Sequence, residues 1–399
     1  MTEQPRLLYL DDIPTPYRLG VHRLVAKRWP GRYKLAFLAA AEPGRDWDLD
    51  LSGLDVQVLP GRQFRPRRQI NPFSFKWNPT VVRMLEAFRP DVVVLSGYVQ
   101  PTIVRAARWC VTRDVPYAVV CETSCRSTTC QGWRWHLRRG ALAWIVRKMA
   151  FGLPVGTEAA DYLRRFGPTE APMHAFPNTP DTSAISIEVN TVRRAYLDAS
   201  VRAAFGIGED ADIVLFAGRF IDAKRPMDAV AAFERIEEHV RNAVLVMVGD
   251  GPLMPGLVDR AKGRNVVFTG WVRDPVSLAR LMAISRLLVL PSRHEPWGAV
   301  VNEAMAAGLP VIASDRVTSA VELVDDGVNG YLFPVGDVDA LSRCILACLS
   351  LNEVDRAQLS AAAQRTATLY GHEFAATNLI EGALAAVARK SGGSGAVAA

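Results

Sequence analysis

Short apolar runs alternate along the chain with longer stretches in which apolar residues recur every three or four positions. The runs predict buried strands, and the longer stretches predict amphipathic helices. The runs before residue 180 are 6–10, 34–40, 56–59, 91–97, 117–122, 152–157 and 174–178, and those after residue 210 are 213–219, 243–251, 266–270, 286–292, 310–314 and 330–334. Nearly continuous apolar strands separated by helices are typical of parallel sheets covered on both faces, so we expect an α/β fold.

The strand pattern is interrupted between residues 179 and 205, where a polar stretch precedes a basic helix. We therefore predict two doubly wound domains, an N-terminal one over residues 1–182 and a C-terminal one over residues 195–368. A last helical pattern at about 370–390 follows the final strand and has no strand of its own to cover, so we expect it to pack back across the junction. Residues 391–399 are rich in glycine and alanine, which predicts a flexible tail.

The composition is ordinary for a soluble globular protein, with 49% hydrophobic and 22% charged residues among 399. This length allows two domains of typical size. The net charge of +6 favours an anionic partner, whether a phosphate, a nucleotide or an acidic membrane surface, without discriminating among them. Residues 1–10 lack the pattern of a signal peptide, and the chain has no run of 18 apolar residues, so we expect a cytoplasmic protein.

The six cysteines do not follow a recognisable ligand or disulfide pattern. Cys121, Cys125 and Cys130 cluster, but no CxxC pair is present, and the spacing suits neither a zinc site nor a disulfide framework. We expect free thiols. No DxD-type acidic pair follows a predicted strand either, so we expect neither a metal nor any other cofactor.

Polar residues and glycines gather after four consecutive predicted strands of the C-terminal domain. They are Gly218, Arg219 and Lys224 after the first strand, Gly249 and Gly251 after the second, Trp271, Val272 and Arg273 after the third, and Glu295, Trp297 and Gly298 after the fourth. In open α/β sheets, ligands bind outside the carboxyl ends of the strands. The four strand ends therefore predict one ligand site.

Arg219 and Lys224 suit a diphosphate, because a planar guanidinium and a compact ammonium would reach one site from a strand end and its loop. The alternative is a solvated pair beside a helix start. The backbone amides of Gly298, Ala299 and Val300 would complete a phosphate site at the start of the following helix.

The stretch HEPWGAVVNEAMAAG places Glu295 before this helix and Glu303 one turn inside it, with Gly308 as a left-handed cap. The free amides at a helix start favour an anion, so we expect an acid beside them to contact a different group. Glu303 is open to a second interpretation, as part of a solvated face or as a capping partner. The GDGP turn at 249–252 lacks the GxGxxG spacing, so we do not interpret it as a dinucleotide-binding loop.

The ordered motifs GRF…K, VGDGP, FTGWV, PSRHEPWG…NEAMAAGLPVIAS and VNGYLFPVGD resemble those of the retaining GT-B glycosyltransferases of family 4, which use nucleotide-sugar donors. The resemblance is strong over residues 213–345 and weaker over 1–180, where DIPTPYR and FPNTPD are typical of some subgroups. It implies a GT-B fold, in which two Rossmann-like domains face a cleft and the last helix crosses back to the first domain.

The resemblance also implies residue roles. Arg219 and Lys224 would hold the diphosphate, Glu295 would contact the transferred sugar, Glu303 would bind the ribose hydroxyls, and the loop around Trp271, Val272 and Arg273 would meet the base. The implied donor is a UDP-sugar by family frequency, and the implied reaction needs no metal. A phosphorylase on the same fold and a non-catalytic sugar-nucleotide-binding protein are the alternatives.

The chain departs from the family pattern in the N-terminal domain. Many members have a glycine pair after the first strand, where this chain has residues 11–15, DDIPT, and a histidine after the strand that ends near 121, where it has Glu122. Asp12, Thr15, Tyr17 and Glu122 are the acceptor-side candidates by position.

Two basic stretches with interleaved aromatic residues, 61–77 and 133–149, lie in the domain where this fold binds its acceptor. The second is either an interfacial helix that makes weak peripheral contact with the inner membrane face or, as we favour, a core-packed helix with an exposed arginine face. The acceptor is a small molecule, a glycan or a lipid-linked sugar. No motif supports nucleic-acid binding.

Overall fold

The computed structural model describes residues 4–42, 49–64, 74–123, 133–167 and 170–393. Cys125, Cys130 and residues 65–73 of the first basic stretch lie outside the described residues, as do the side chains of residues 133–138 in the second. The chain divides into two compact units, Met1–Asn178 with His372–Ala399 (unit 1) and Thr179–Gly371 (unit 2). This division falls four residues before the boundary expected at residue 182.

The strands and helices follow the chain in a nearly regular alternation. The strands are β1 (Arg6–Asp11), β2 (Arg32–Phe37), β3 (Val56–Val58), β4 (Arg62–Phe64), β5 (Phe75–Trp77), β6 (Val92–Ser96), β7 (Tyr117–Cys121), β8 (Phe151–Pro154), β9 (Asp212–Ala217), β10 (Ala243–Val248), β11 (Val266–Gly270), β12 (Leu287–Leu290), β13 (Val311–Ser314) and β14 (Gly330–Phe333). The helices are α1 (Pro16–Arg28), α2 (Val81–Phe88), α3 (Pro101–Thr112), α4 (Trp133–Lys148), α5 (Thr157–Arg164), α6 (Thr182–Arg194), α7 (Asp198–Phe205), α8 (Pro226–Ile236), α9 (Met254–Arg260), α10 (Pro275–Ala283), α11 (Ala299–Ala306), α12 (Thr318–Leu323), α13 (Val338–Leu349), α14 (Glu353–Leu369) and α15 (His372–Gly393).

Unit 1 contains a parallel sheet in the order β3-β2-β1-β6-β7-β8. Its inner strands are buried along almost their whole length, as their continuous apolar sequences predict. The chain order reverses between β1 and β6, which is the topological switch point of a doubly wound sheet. The carboxyl ends of these two strands therefore lie side by side.

Helix α15 completes the core of unit 1. Its apolar residues Ala375, Leu379 and Ala383 are fully buried beside residues of β1 and α1 such as Tyr9 and Val21. Small residues permit the close approach: a Cβ atom on Gly20 of α1 would lie 2.2 Å from the ring of His372. The last helix of the chain thus belongs to the same core as its first strand.

Unit 2 repeats the arrangement with the order β11-β10-β9-β12-β13-β14, again entirely parallel. Strand β9 is central and pairs with both β10 and β12, with Leu215 opposite Val246 on one side and Leu288 on the other. The switch point lies between β9 and β12. Both sheets confirm the predicted doubly wound α/β class.

Two details of the strand prediction are wrong. The segment 174–178 is extended and bonds to β8 through the amides of His174 and Phe176, yet it forms only an isolated bridge at Met173. Pro172 and Pro177 lack the N–H groups that a regular ladder needs. The other error concerns the first basic stretch, residues 61–77, where no strand was expected. Its described residues form a short antiparallel hairpin, β4–β5.

In the described ranges, every helix is too short or too polar to cross a bilayer.

Candidate functional site

The strongest concentration of polar groups in unit 2 lies at its switch point, as the strand-end argument predicts. Gly218 and Arg219 directly follow β9, and Glu295 follows β12 after a short loop. These strands are hydrogen-bonded neighbours, so their carboxyl ends open onto the same edge of the sheet. This edge is where doubly wound sheets bind ligands.

Lys224 ends a single 3-10 turn, Asp222–Lys224, in the loop after β9. Its Nζ contacts the Oε2 atom of Glu295, and only 20% of the lysine side chain and 12% of the glutamate side chain are exposed. The turn is also tied to the β12 loop, because the Arg293 N–H donates to the Ala223 carbonyl at 2.8 Å. Two loops separated by some 70 residues in sequence are therefore held together at the site.

The site has excess positive charge. The pKa of Lys224 is lowered to about 8, chiefly by burial and then by the like charge of Arg219. The Arg219 side chain is exposed, and it forms no ion pair with any residue in the described ranges. Lys224 is paired with Glu295, and Asp222 of the same turn is paired with Arg293, so Arg219 adds a positive charge that no ion pair among the described residues balances. This arrangement suits an anionic ligand.

The start of α11 adds hydrogen-bond donors to these cations. Gly298 precedes the helix with φ +96°, and a Cβ atom there would lie 2.8 Å from Cγ of Glu295. Glycine is therefore required both by the backbone conformation and by the close approach. Within the described part of the chain, the amides of Gly298, Ala299 and Val300 donate to no protein acceptor, and such amides are a ready site for phosphate.

The loop that carries Glu295 and Gly298 is braced by residues that the sequence analysis missed. Thr318 donates through its hydroxyl to the Glu295 carbonyl at 3.1 Å. Ser319 donates through its amide to the Trp297 carbonyl and through its hydroxyl to the Gly298 carbonyl, both at 2.9 Å. Their sequence, TS at a helix start, is a common capping signal and does not indicate which loop the side chains hold.

Trp297 lies in the core beneath this loop. Its side chain is 5% exposed, and its indole N–H donates to the Asn302 side chain of α11 at 3.1 Å. The ring therefore fixes the loop against the helix. The donor contact predicted for Trp297 stays a prediction.

Glu303 lies one turn inside α11 and is half-buried. Among the described residues, its carboxylate has neither an ion-pair nor a hydrogen-bond partner, and burial raises its pKa to about 7. An unpartnered acid in this position is unfavourable for the free protein. It is suited to accept hydrogen bonds from a ligand, as the ribose role requires.

The glycines after β10 have a packing reason. Gly249 has φ +142°, and a Cβ atom there would lie 2.0 Å from the Gly218 carbonyl, while one on Gly251 would lie 2.6 Å from the Phe220 carbonyl. The loops after β9 and β10 thus pack backbone to backbone. This packing brings Gly218 and Gly249 together. It also accounts for the need for glycine at positions 249 and 251 without any ligand.

The third strand end is the most open of the four. Trp271 is 55% exposed, Arg273 is exposed and Val272 is half-buried. The adjacent Gly270 carbonyl accepts a hydrogen bond from the Gly249 amide at 2.9 Å, which places this loop beside the β10 loop. The structure therefore keeps an exposed aromatic side chain at the edge where a base was expected.

Unit 1 has a buried ionic cluster at the end of β1. Lys76 of β5 is 1% exposed and contacts both Glu42 and Asp12, the latter at 3.1 Å. Gln100 donates to the same Asp12 oxygen at 3.1 Å. Asp12 therefore anchors the β4–β5 hairpin, and an acceptor contact would have to share it with these partners.

Glu122 is the acceptor-side candidate with the most exposed side chain, at 56%. Asn178 donates to its Oε1 at 2.9 Å, and the buried guanidinium of Arg18, which lies 4.0 Å from the ring centroid of Phe176, is 3.5 Å away. These contacts hold the Glu122 side chain in place while its carboxylate stays accessible to solvent. Thr15 directly precedes α1 and Tyr17 lies in its first turn, and both are half-buried.

Helix α4 has both of the properties that were expected of it. Leu142, Ile145 and Val146 are in the core, whereas Arg139, Trp144, Arg147 and Lys148 are exposed around an open depression. None of the four cysteines in the described ranges, Cys110, Cys121, Cys344 and Cys348, forms a disulfide.

The arrangement defines a class of protein. A duplicated doubly wound fold of this kind is the GT-B architecture, and solved structures of this class match 94% of the chain. Anabaena HepE in complex with UDP superimposes with a TM-score of 0.69 and 18% identity over 94% of this chain and 98% of that protein, and the same protein has been solved with UDP-glucose.

Residues 199–366 match the family described as "Glycosyl transferases group 1", and residues 20–179 match the "Glycosyl transferase 4-like domain". It is 35% identical over 156 residues to N-acetyl-alpha-D-glucosaminyl L-malate synthase of Bacillus anthracis, covering 38% of this chain and 40% of that protein. It is 30% identical over 231 residues to D-inositol 3-phosphate glycosyltransferase of Xylanimonas cellulosilytica, covering 56% and 54%. The chain thus matches about half or less of the length of these relatives.

Proposed function

We propose that the protein is a retaining glycosyltransferase that transfers a sugar from a UDP-sugar to an acceptor hydroxyl without a metal. The observation that carries the proposal is the convergence of Arg219, Lys224 and the free amides before Val301 at one switch point of unit 2. Glu295 lies within contact of Lys224, so a sugar attached to the bound diphosphate would reach it.

The chemical difficulty of such a transfer is the departure of the nucleoside diphosphate. The bond between the anomeric carbon and the phosphate oxygen breaks while the bond to the acceptor oxygen forms, and the acceptor proton passes to the departing phosphate. Negative charge grows on that phosphate as the bond breaks. Arg219, Lys224 and the α11 amides are placed to stabilise it, and preorganised donors of this kind are commonly worth about 3–4 kcal/mol each.

The two acids have separate tasks in this proposal. Glu303, which has no protein partner among the described residues, accepts hydrogen bonds from the ribose hydroxyls. Glu295 accepts them from the transferred sugar. The exposed Trp271 and its neighbours Val272 and Arg273 border the base.

The choice of uridine is supported by the complexes of the Anabaena protein with UDP and UDP-glucose. The acceptor is proposed to lie at the β1 and β7 strand ends of unit 1, where Glu122 offers an exposed carboxylate. Metal independence is proposed because the two cations can neutralise the diphosphate in place of a divalent ion.

The test is a thermal-shift and calorimetric comparison of UDP, GDP and ADP with the full chain. A ligand at 100 times its dissociation constant adds about 2.7 kcal/mol to stability, so binding is readily detected. We expect UDP to bind and Arg219→Ala to weaken it at least tenfold, whereas Arg241→Ala, an exposed arginine at the opposite, amino end of β10, should have no effect. Stabilisation by GDP alone would contradict the donor assignment, and turnover that requires free phosphate would indicate a phosphorylase.

A further inference from the structure

Lys224 and Glu295 are expected to serve different parts of the donor, yet in the free protein they contact each other. The Nζ atom of Lys224 lies on Oε2 of Glu295, and both side chains are largely shielded from solvent. If Lys224 keeps this contact while it binds a phosphate, its ammonium group is shared between the phosphate and Glu295. Glu295 likewise must leave it to accept hydrogen bonds from a sugar.

We infer that Glu295 and the donor diphosphate compete for Lys224, so that diphosphate binding releases Glu295 to the sugar, and the return of Glu295 to Lys224 helps to expel the product nucleotide. This inference rests on the proposed function. It adds that the ion pair is exchanged in each catalytic cycle.

Three observations favour exchange over a permanent ion pair. Arg219, exposed and without an ion pair among the described residues, supplies a second cation that a diphosphate would meet as it enters. Arg219 also repels the charge on Lys224, as its effect on the lysine pKa shows, so a dianionic phosphate relieves a repulsion that one carboxylate balances only in part. The backbone around Glu295 is held by Thr318 and Ser319, so the change is confined to two side chains.

The exchange predicts that affinity changes in the opposite direction from that expected on removal of an ordinary binding residue. Removing the charge of Glu295 should strengthen the binding of a nucleoside diphosphate while it weakens turnover of the intact donor. UMP, which lacks the terminal phosphate, does not compete for Lys224, so its affinity should not change.

The experiment measures the dissociation constants of UDP and UMP by calorimetry for the full chain and for Glu295→Gln. We expect Glu295→Gln to bind UDP about three- to tenfold more tightly, which is the range expected for release of a partly buried ion pair, and to bind UMP within twofold of the unchanged chain. Glu353→Gln removes the same charge from a side chain that is 92% exposed and should alter neither constant.

A double-mutant cycle separates exchange from general repulsion between Glu295 and an anion. In a Lys224→Met background, Glu295→Gln should no longer strengthen UDP binding, because the residue for which the ligand competes is absent. Two results would overturn the exchange. One is an equal gain in UDP affinity with and without Lys224, and the other is weaker UDP binding by Glu295→Gln. If the unchanged chain binds none of the four nucleotides UMP, UDP, GDP and ADP, the proposed function itself is wrong.

Discussion

Replacement of Glu303 by glutamine should make the protein more stable at high pH and less able to bind nucleotide. The carboxylate is half-buried, has no partner among the described residues, and has a pKa raised by burial from 4.5 to about 7. Because the folded-state pKa lies above the unfolded one, the contribution of Glu303 to stability is fully present below pH 4.5 and is lost as the pH rises through 7. Glutamine has the same shape and does not titrate.

The magnitude follows from the two pKa values. Each pKa unit corresponds to about 1.4 kcal/mol, so the rise from 4.5 to about 7 amounts to about 3 kcal/mol. The carboxylate keeps some contact with solvent, which screens it, and we therefore expect about 2 kcal/mol. For a unit of this size, about 2 kcal/mol shifts the melting temperature by about 4–8 °C.

The assay compares melting temperatures of the unchanged chain and Glu303→Gln at pH 5 and pH 8. We expect the variant to gain about 4–8 °C relative to the unchanged chain between these values, whereas Glu353→Gln, at a 92% exposed position, should show a constant difference. UDP affinity should fall about tenfold or more in Glu303→Gln, since a hydrogen bond to a charged group contributes about 1.5–3 kcal/mol. A pH-independent difference in melting temperature would refute the electrostatic argument, and unchanged UDP affinity would remove Glu303 from the binding site.

Four further results are expected. Arg219→Ala and Lys224→Ala should each lower turnover about 100-fold while Arg241→Ala leaves it unchanged, and undiminished rates in folded variants would remove the diphosphate site. UDP affinity should decline as the pH rises through about 8, where Lys224 loses its proton, and Lys224→Met should abolish that pH dependence; a decline that persists in Lys224→Met would assign it to another group. Turnover should survive EDTA, whereas a loss restored by a divalent cation would show a metal requirement. In liposome flotation we expect little or no binding to anionic vesicles, and strong, salt-sensitive flotation that disappears in Arg139→Ala/Arg147→Ala would instead indicate a lipid-linked acceptor.

The parts of the structure that sequence could predict depend on local pattern. Buried parallel strands are continuous apolar runs, and the residue at the end of such a run lies at a known edge of the sheet, so Arg219 and Glu295 could be assigned to one site before any coordinates. The left-handed conformation predicted for Gly308 after α11 follows from local chemistry in the same way, and Gly308 has φ +74°.

The parts that sequence could not predict depend on contacts between distant segments. Nothing in FKW distinguishes Lys76 from an exposed strand residue, because its burial arises from Asp12 and Glu42, which come from other loops. The contact between Lys224 and Glu295 and the bracing by Ser319 are of the same kind. Conversely, the segment 174–178 has the composition of a strand, but Pro172 before it and Pro177 within it cannot donate to a regular ladder.

The place of α15 in the core of unit 1 has a consequence for how the protein is made. The ribosome delivers β1 before unit 2 and α15 after it, so every residue of unit 2 emerges before Ala375, Leu379 and Ala383 can pack against α1 and the sheet of unit 1. During translation the nascent N-terminal sheet therefore waits with an apolar face uncovered, while unit 2 already has its complete sequence and can fold. Such exposed surfaces favour aggregation and chaperone binding. We therefore expect unit 1 to complete its core after unit 2, against the order of synthesis.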